Sequence, residues 1–139
     1  MDNRLRGLNF KQLLKNAEAL FFDIDGVLSS SQVNISEKGD LLRTTSVKDG
    51  YVLSYALKKG LRICLISGGV NESVRIRFEK LGIKDIVLGC DNKLLEFDRL
   101  VSKYNLNCEN IIYMGDDIPD YLVMKKVGIP SCPADAADE

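Results

Sequence analysis

Histidine and tryptophan are both absent from these 139 residues. Without histidine there is no Ser-His-Asp hydrolysis, no phosphohistidine transfer and no imidazole-ligated metal. Cysteine is sparse and scattered. Cys64, Cys90, Cys108 and Cys132 make no C-x-x-C pair, which argues against a zinc site or a disulfide framework and for the reduced thiols of a cytoplasmic protein. Six positions beyond them stand Val70, Glu96, Met114 and Asp138, so no cysteine has the arginine that would grip a phosphate in a cysteine-dependent phosphatase. Charge of one sign is lacking too: 19 Lys and Arg face 20 Asp and Glu, a net charge of −1, which disfavours nucleic acid as a partner. No apolar run approaches the roughly 18 to 20 residues of a membrane span. The opening Met1-Asp2-Asn3-Arg4-Leu5-Arg6 has neither the apolar core nor the cleavage signal of a secretory leader. A G-x-x-x-x-G-K-[ST] phosphate loop is missing, which removes the commonest nucleotide-binding reading.

What is present suits one soluble α/β domain. Hydrophobic residues make up 45% and charged residues 28%, and the length supports a single real core. Apolar runs predict strands over 20–24, 61–66, 85–88, 110–114 and 129–132, alternating with helices over 48–59, 71–81, 92–104 and 119–126. That alternation implies parallel pairing with right-handed crossovers, hence a three-layer sandwich around a Rossmann-like sheet. Between the first strand and its helix, turn residues flank Val33, Ile35, Leu41 and Leu42, which predict a short β-hairpin. The intervals from Asp25 to Ser67 and from Lys93 to Asp116 have no room for a cap domain. Residues 1–18 form an N-terminal extension ahead of a domain over 19–139. Leu5, Leu8, Phe10, Leu13 and Leu14 have helical spacing there.

Polar signals recur where the apolar runs end. Phe21-Phe22-Asp23-Ile24-Asp25-Gly26 puts two carboxylates two residues apart at the tip of the first strand, on one side of it. Close acids invite a hard divalent cation such as Mg²⁺. Alone, the pair reads equally well as an acidic strand-to-loop corner. Ile63 to Ile66 leads into Ser67-Gly68-Gly69, Lys93 follows Asp91-Asn92, and Ile111 to Met114 leads into Gly115-Asp116-Asp117-Ile118-Pro119-Asp120. Singly, Ser67 reads also as a helix cap, Lys93 as a solvated helix residue, and Asp116 with Asp117 as caps. Together at one sheet edge they supply a carboxylate nucleophile with its partner acid, a hydroxyl and an ammonium for phosphate oxygens, and acids for a metal.

This order of motifs resembles the haloacid dehalogenase superfamily phosphatases. Asp25-Gly26-Val27-Leu28, Lys48-Asp49-Gly50, Val74 to Arg77 with Leu81-Gly82-Ile83, and Val123-Met124 with Val127-Gly128 narrow the resemblance to the capless branch that contains the 3-deoxy-D-manno-octulosonate 8-phosphate phosphatases. The likeness runs from about Leu20 to Ala136. It implies a Mg²⁺-dependent phosphatase of lipopolysaccharide biosynthesis, acting on a small sugar-acid phosphate, either the octulosonate 8-phosphate or a related nonulosonate 9-phosphate, through an aspartyl-phosphate.

The same resemblance assigns roles. Asp23 is the nucleophile, Asp25 the acid and base, and Ser67 and Lys93 hold the transferring oxygens. Ser67, Gly68, Lys93 and Arg77 are the substrate contacts. Asp23, Asp116 and the Asp25 carbonyl hold the metal, with Asp117 near its shell and Asp120 capping the next helix. A homotetramer joined through the hairpins is implied as well. The chain departs from the family in reading Ser67-Gly68-Gly69 where Thr-Gly-Arg is usual, which removes a cation that Arg75 or Arg77 would have to replace. The chain also stops at Glu139, where the relatives continue into a glycine- and arginine-containing tail. The competing reading is a non-catalytic oligomerisation or regulatory domain of the same fold, as accompanies acylneuraminate cytidylyltransferases. A receiver domain would carry its phosphoacceptor aspartate on a later strand than its acidic pair.

Overall fold

A computed structural model describes residues 9–138. Its strands are β1 (Ala19–Phe22), β2 (Asn34–Ile35), β3 (Leu41–Leu42), β4 (Arg62–Ile66), β5 (Asp85–Val87), β6 (Ile111–Met114) and β7 (Ile129–Ser131). Its α-helices are α1 (Phe10–Lys15), α2 (Val47–Lys58), α3 (Glu72–Lys80), α4 (Lys93–Tyr104) and α5 (Tyr121–Met124). The main sheet runs in the order β5-β4-β1-β6-β7, with every neighbouring pair parallel.

Because side chains alternate along a strand, the sheet feeds two cores. Phe21, Cys64, Ile66, Ile111 and Tyr113 pack with Phe97 and Leu100 of α4 and Val123 of α5. Ile63, Leu65 and Ile86 pack on the other face with Leu53 and Ala56 of α2 and Val74 and Phe78 of α3. The three-layer sandwich expected from the alternation of apolar runs is therefore present. The chain winds from β1 outward to β5, then returns through α4 to β6 on the other side of β1. Strand order thus reverses between β1 and β6, and the crevice beyond the carboxyl ends of such strands is where open α/β sheets bind ligands.

The expected hairpin is also present. β2 and β3 pair antiparallel, Asn34 opposite Leu42 and Ile35 opposite Leu41. It stands clear of the core, with Ile35, Leu41 and Leu42 exposed.

Two expectations change. The single helix predicted over 119–126 is a 3₁₀ turn, Ile118–Asp120, followed by the one-turn α5. The Asp120 side chain is drawn inward instead of capping: α5 has no side-chain cap hydrogen bond. In the N-terminal extension the helix is the short α1, closed at its start by a reciprocal Asn9–Gln12 capping box; Leu5 and Leu8 lie outside the described residues. No helix among the described residues is long and apolar enough to cross a membrane.

Candidate active site

Sheet hydrogen bonding continues one step past the strands and fixes the residues that follow. Asp23 N–H donates to the Met114 carbonyl at 3.0 Å, Ser67 N–H to Val87 at 2.9 Å, and Gly115 N–H to Ser131 at 3.2 Å. Asp23, Ser67 and Asp116 therefore rise together from β1, β4 and β6. Lys93 joins them from the first turn of α4, whose start is capped by Asn92. The four share a cleft of about 860 Å³ with Asp25, Gly68, Asp117 and Asp120.

Two glycines make this approach possible. Gly26 has φ +88°, and a Cβ there would sit 1.8 Å from Asp116 Oδ2. The turn after the Asp23–Asp25 pair thus needs the left-handed backbone and the bare Cα that glycine supplies. At Gly115 a Cβ would lie 2.3 Å from the Asp120 Cβ, so only glycine lets Asp120 fold back beneath β6.

Lys93 is the electrostatic hub. Its Nζ lies 2.9 Å from Asp23 Oδ1 and 2.8 Å from Asp120 Oδ1, with all three side chains buried. The Tyr113 hydroxyl donates to the same Asp120 oxygen at 2.6 Å, and the Asp116 N–H donates to Asp120 Oδ2 at 3.3 Å. Among the described residues, Asp23, Asp116 and Asp120 form a carboxylate group whose oxygens lie within 4.8 Å of one another. Burial pushes Asp23 up to about 6, opposed by the Lys93 ammonium and reinforced by Asp120. Asp116 is raised as well, by burial first and then by the charges of Asp120 and Asp117, against a hydrogen bond with Asp23. Burial works against the charge on Lys93, but Asp23 and Asp120 more than offset it and hold its pKa above the ordinary value. Three carboxylates around one ammonium leave an excess of negative charge that a divalent cation would satisfy, and oxygen donors are what Mg²⁺ takes. Asp120 already accepts protein donors on both oxygens, and Asp23 and Asp116, whose oxygens face the same space, could hold a metal.

The cap expected of Asp120 is supplied by Asp117 instead. Asp117 is exposed and its carboxylate accepts the Ile118 N–H at 2.8 Å, capping the 3₁₀ turn; it lines the cleft but stands outside the carboxylate group. Asp120, expected as a cap, is fully buried between Lys93 and Tyr113. Ser67 is buried and accepts the Gly69 N–H at 3.2 Å, while Asn71, not Ser67, caps α3.

Arg77 is not brought to the cleft lining. Its guanidinium lies over Gly50 of α2, 2.7 Å from where a Cβ would be. Arg75 is committed elsewhere too, donating to the Ile86 carbonyl at 3.1 Å and facing Glu72 and Glu79. The cation nearest to Gly69 is instead Arg43, from the segment just after β3, paired with Asp25. No local pattern marks Arg43 in the sequence. Tyr113 does leave a trace, as the one aromatic in an otherwise aliphatic strand.

The fold is that of the haloacid dehalogenase superfamily. No protein-family model matches the chain, but relatives do. A 3-deoxy-D-manno-octulosonate 8-phosphate phosphatase of Escherichia coli is 37% identical over 122 residues, 88% of this chain and 65% of the relative. One from Yersinia pestis is 30% identical over 125 residues, 90% of this chain and 67% of the relative. Among solved structures, the Moraxella catarrhalis phosphatase of that name, in complex with magnesium, phosphate and KDO, superimposes with a TM-score of 0.87 at 28% identity, over 91% of this chain and 73% of that one. The chain belongs to the 3-deoxy-D-manno-octulosonate 8-phosphate phosphatase family, and spans 65% of the length of the Escherichia coli relative.

Proposed function

We propose that this protein is a Mg²⁺-dependent phosphatase of small sugar-acid phosphate monoesters, 3-deoxy-D-manno-octulosonate 8-phosphate or a related nonulosonate 9-phosphate. The observation that carries the reading is the meeting of Asp23, Lys93 and Asp116 with Asp25 and Ser67 in one cleft where the strand order reverses. Asp23 and Asp116 would hold the metal with the Asp25 carbonyl, and Asp117 at the mouth adds negative charge beyond them. Bound Mg²⁺ would mask the charge of the phosphoryl oxygens.

In the first half-reaction an Asp23 carboxylate oxygen attacks phosphorus, the bond from phosphorus to the sugar oxygen breaks, and Asp25 gives that oxygen its proton. In the second, water attacks phosphorus, Asp25 takes the proton of that water, and the bond to Asp23 breaks to release inorganic phosphate and restore the carboxylate. Ser67, the backbone at Gly68 and Lys93 hold the transferring oxygens through both steps. Asp120 keeps Lys93 aimed at Asp23.

A homotetramer joined through the hairpins is the assembly we infer. Ile35, Leu41 and Leu42 of the hairpin are exposed, as are Val47, Tyr51 and Tyr55 of α2, and such an assembly would cover apolar surface of this kind. A cytoplasmic site of action fits the four free cysteines. The test is Mg²⁺-dependent phosphate release across sugar-acid, sugar and nucleotide monophosphates, with Asp23→Asn as control. Release that the variant loses supports the reading, and a folded wild-type protein that releases nothing from any ester overturns it.

A further inference from the structure

Arg43 reaches the site from outside the core. Its side chain is 7% exposed, and each of its nitrogens has a partner. Nε donates to Asp25 Oδ1 at 2.6 Å, Nη2 to Asp25 Oδ2 at 3.0 Å, and Nη1 to the Leu41 carbonyl at 3.3 Å. This is the two-pronged guanidinium–carboxylate arrangement, which fixes direction as well as charge. Asn71, at the start of α3, donates to the same Leu41 carbonyl at 2.9 Å. A strut therefore runs from α3 through the end of the hairpin to the Asp25 carboxylate.

Gly69 supplies a second, independent observation. A Cβ there would lie 3.0 Å from Arg43 Nη2 and 3.2 Å from Asp25 Oδ2. The bare Cα leaves the slot that the guanidinium fills. Arg43 does not line the cleft; the site carboxylate it holds is Asp25.

We propose that Arg43 is a positioning residue for Asp25: seated beside Gly69, it aims the Asp25 carboxylate at the leaving oxygen and then at the attacking water. The proposal rests on the phosphatase reading above. Its signature lies in the leaving group. An alkoxide of a sugar needs the Asp25 proton in the first half-reaction, whereas p-nitrophenolate leaves without one. Misaiming Asp25 therefore penalises a sugar phosphate in both half-reactions and p-nitrophenyl phosphate in only the second.

The experiment compares kcat and KM of the wild-type protein, Arg43→Ala and Arg43→Lys, with Mg²⁺, on 3-deoxy-D-manno-octulosonate 8-phosphate and on p-nitrophenyl phosphate. In Arg43→Ala we expect kcat to fall about 10- to 100-fold on the sugar phosphate and only about threefold on the aryl ester, with KM changed by less than about twofold. Lysine should recover part of the loss, because it restores charge but not the fork. Gly69→Ala, whose methyl presses on the guanidinium, should reproduce the ester-dependent loss, and it carries the test if Arg43→Ala does not fold. Equal losses on the two esters, no loss, or a gain would overturn the proposal while leaving the phosphatase reading intact. A folded wild-type protein that hydrolyses neither ester would overturn both.

Discussion

Carboxylates are buried beside cations at both ends of the sheet, and the two clusters are balanced differently. At the amino end of β5, Asp85 receives the Tyr104 hydroxyl on both oxygens, at 2.8 and 2.7 Å. Lys103 Nζ stands at 3.1 Å and Arg62 Nη1 at 3.7 Å, and the Arg62 guanidinium stacks 3.4 Å over the Tyr104 ring. One acid there has two cations and a phenol. At the carboxyl end, Asp23 and Asp120 pair with Lys93, Asp116 lies beside them, and among the described residues no second cation pairs with the three. A buried charge is tolerated when it is paired, so the Asp85 cluster is complete as it stands, whereas the Lys93 cluster leaves negative charge over. Perturbed carboxylates in a cleft mark a functional site; the surplus, more than the presence of charge, separates the two ends.

The largest effect that would break this contrast is chemical. Asp23→Asn removes the proposed nucleophile and should lower phosphate release by about 10³-fold or more while the protein stays folded. Next comes Lys93→Met, which strands Asp23 and Asp120 without their shared cation. Denaturant unfolding of the metal-free variant should show a loss of about 3–5 kcal/mol, and Mg²⁺ should return part of it by taking over the neutralising role. Asp85→Asn at the other end should cost about 1–3 kcal/mol, with kcat unchanged and no recovery from Mg²⁺. If Mg²⁺ rescued both variants alike, the surplus-charge distinction would be wrong.

The comparison also explains what could be read from the sequence. Strand and helix alternation was legible because apolar runs and capping residues such as Asn71 and Asn92 act locally, and the motif residues Asp23, Ser67, Lys93 and Asp116 were legible because each stands within two residues of a strand's end or opens a helix. Roles that depend on which way a side chain turns were not. Asp117 and Asp120 stand in one short acidic segment, and only the bare Cα of Gly115 decides that Asp120 folds inward and Asp117 is left to cap. Arg77 carries a family pattern, yet α3 turns it onto Gly50 of α2. Arg43 carries no pattern because its partner is brought to it by the hairpin, a contact between elements that no local spacing encodes.

The acidity of Asp23 sharpens the contrast through pH. Burial raises it from 3.8 to about 6 in the folded, metal-free protein, so the native state holds this proton more tightly than the unfolded chain does. Stability relative to Asp23→Asn is therefore greatest below the unfolded value and declines as pH rises from near 4 through about 6. Mg²⁺ needs the ionised carboxylate, so the rise in Tm that it produces should be small near pH 5 and larger near pH 7.5. A Mg²⁺ shift that did not grow with pH would place the cation away from Asp23.

The smallest test applies one chemical change to both ends. Tyr113→Phe and Tyr104→Phe each delete a single hydroxyl that donates to a buried aspartate. Neither leaves its acceptor bare, since Asp120 keeps Lys93 and the Asp116 N–H and Asp85 keeps Lys103. Each should therefore cost about 1.5–3 kcal/mol in denaturant unfolding, the worth of a hydrogen bond to a charged group. Their consequences for turnover should part. Without the Tyr113 hydroxyl, Asp120 loses the donor that fixes the oxygen it shares with Lys93, and the ammonium that holds the transferring phosphoryl oxygens is less well aimed, so kcat should drop about threefold to tenfold. Without the Tyr104 hydroxyl, nothing that touches the cleft moves, and kcat should hold. Equal stability losses with unequal kcat would tie the Lys93 cluster to the reaction and leave the Asp85 cluster to the fold; equal kcat would mean that the Tyr113 hydroxyl takes no part in aiming Lys93.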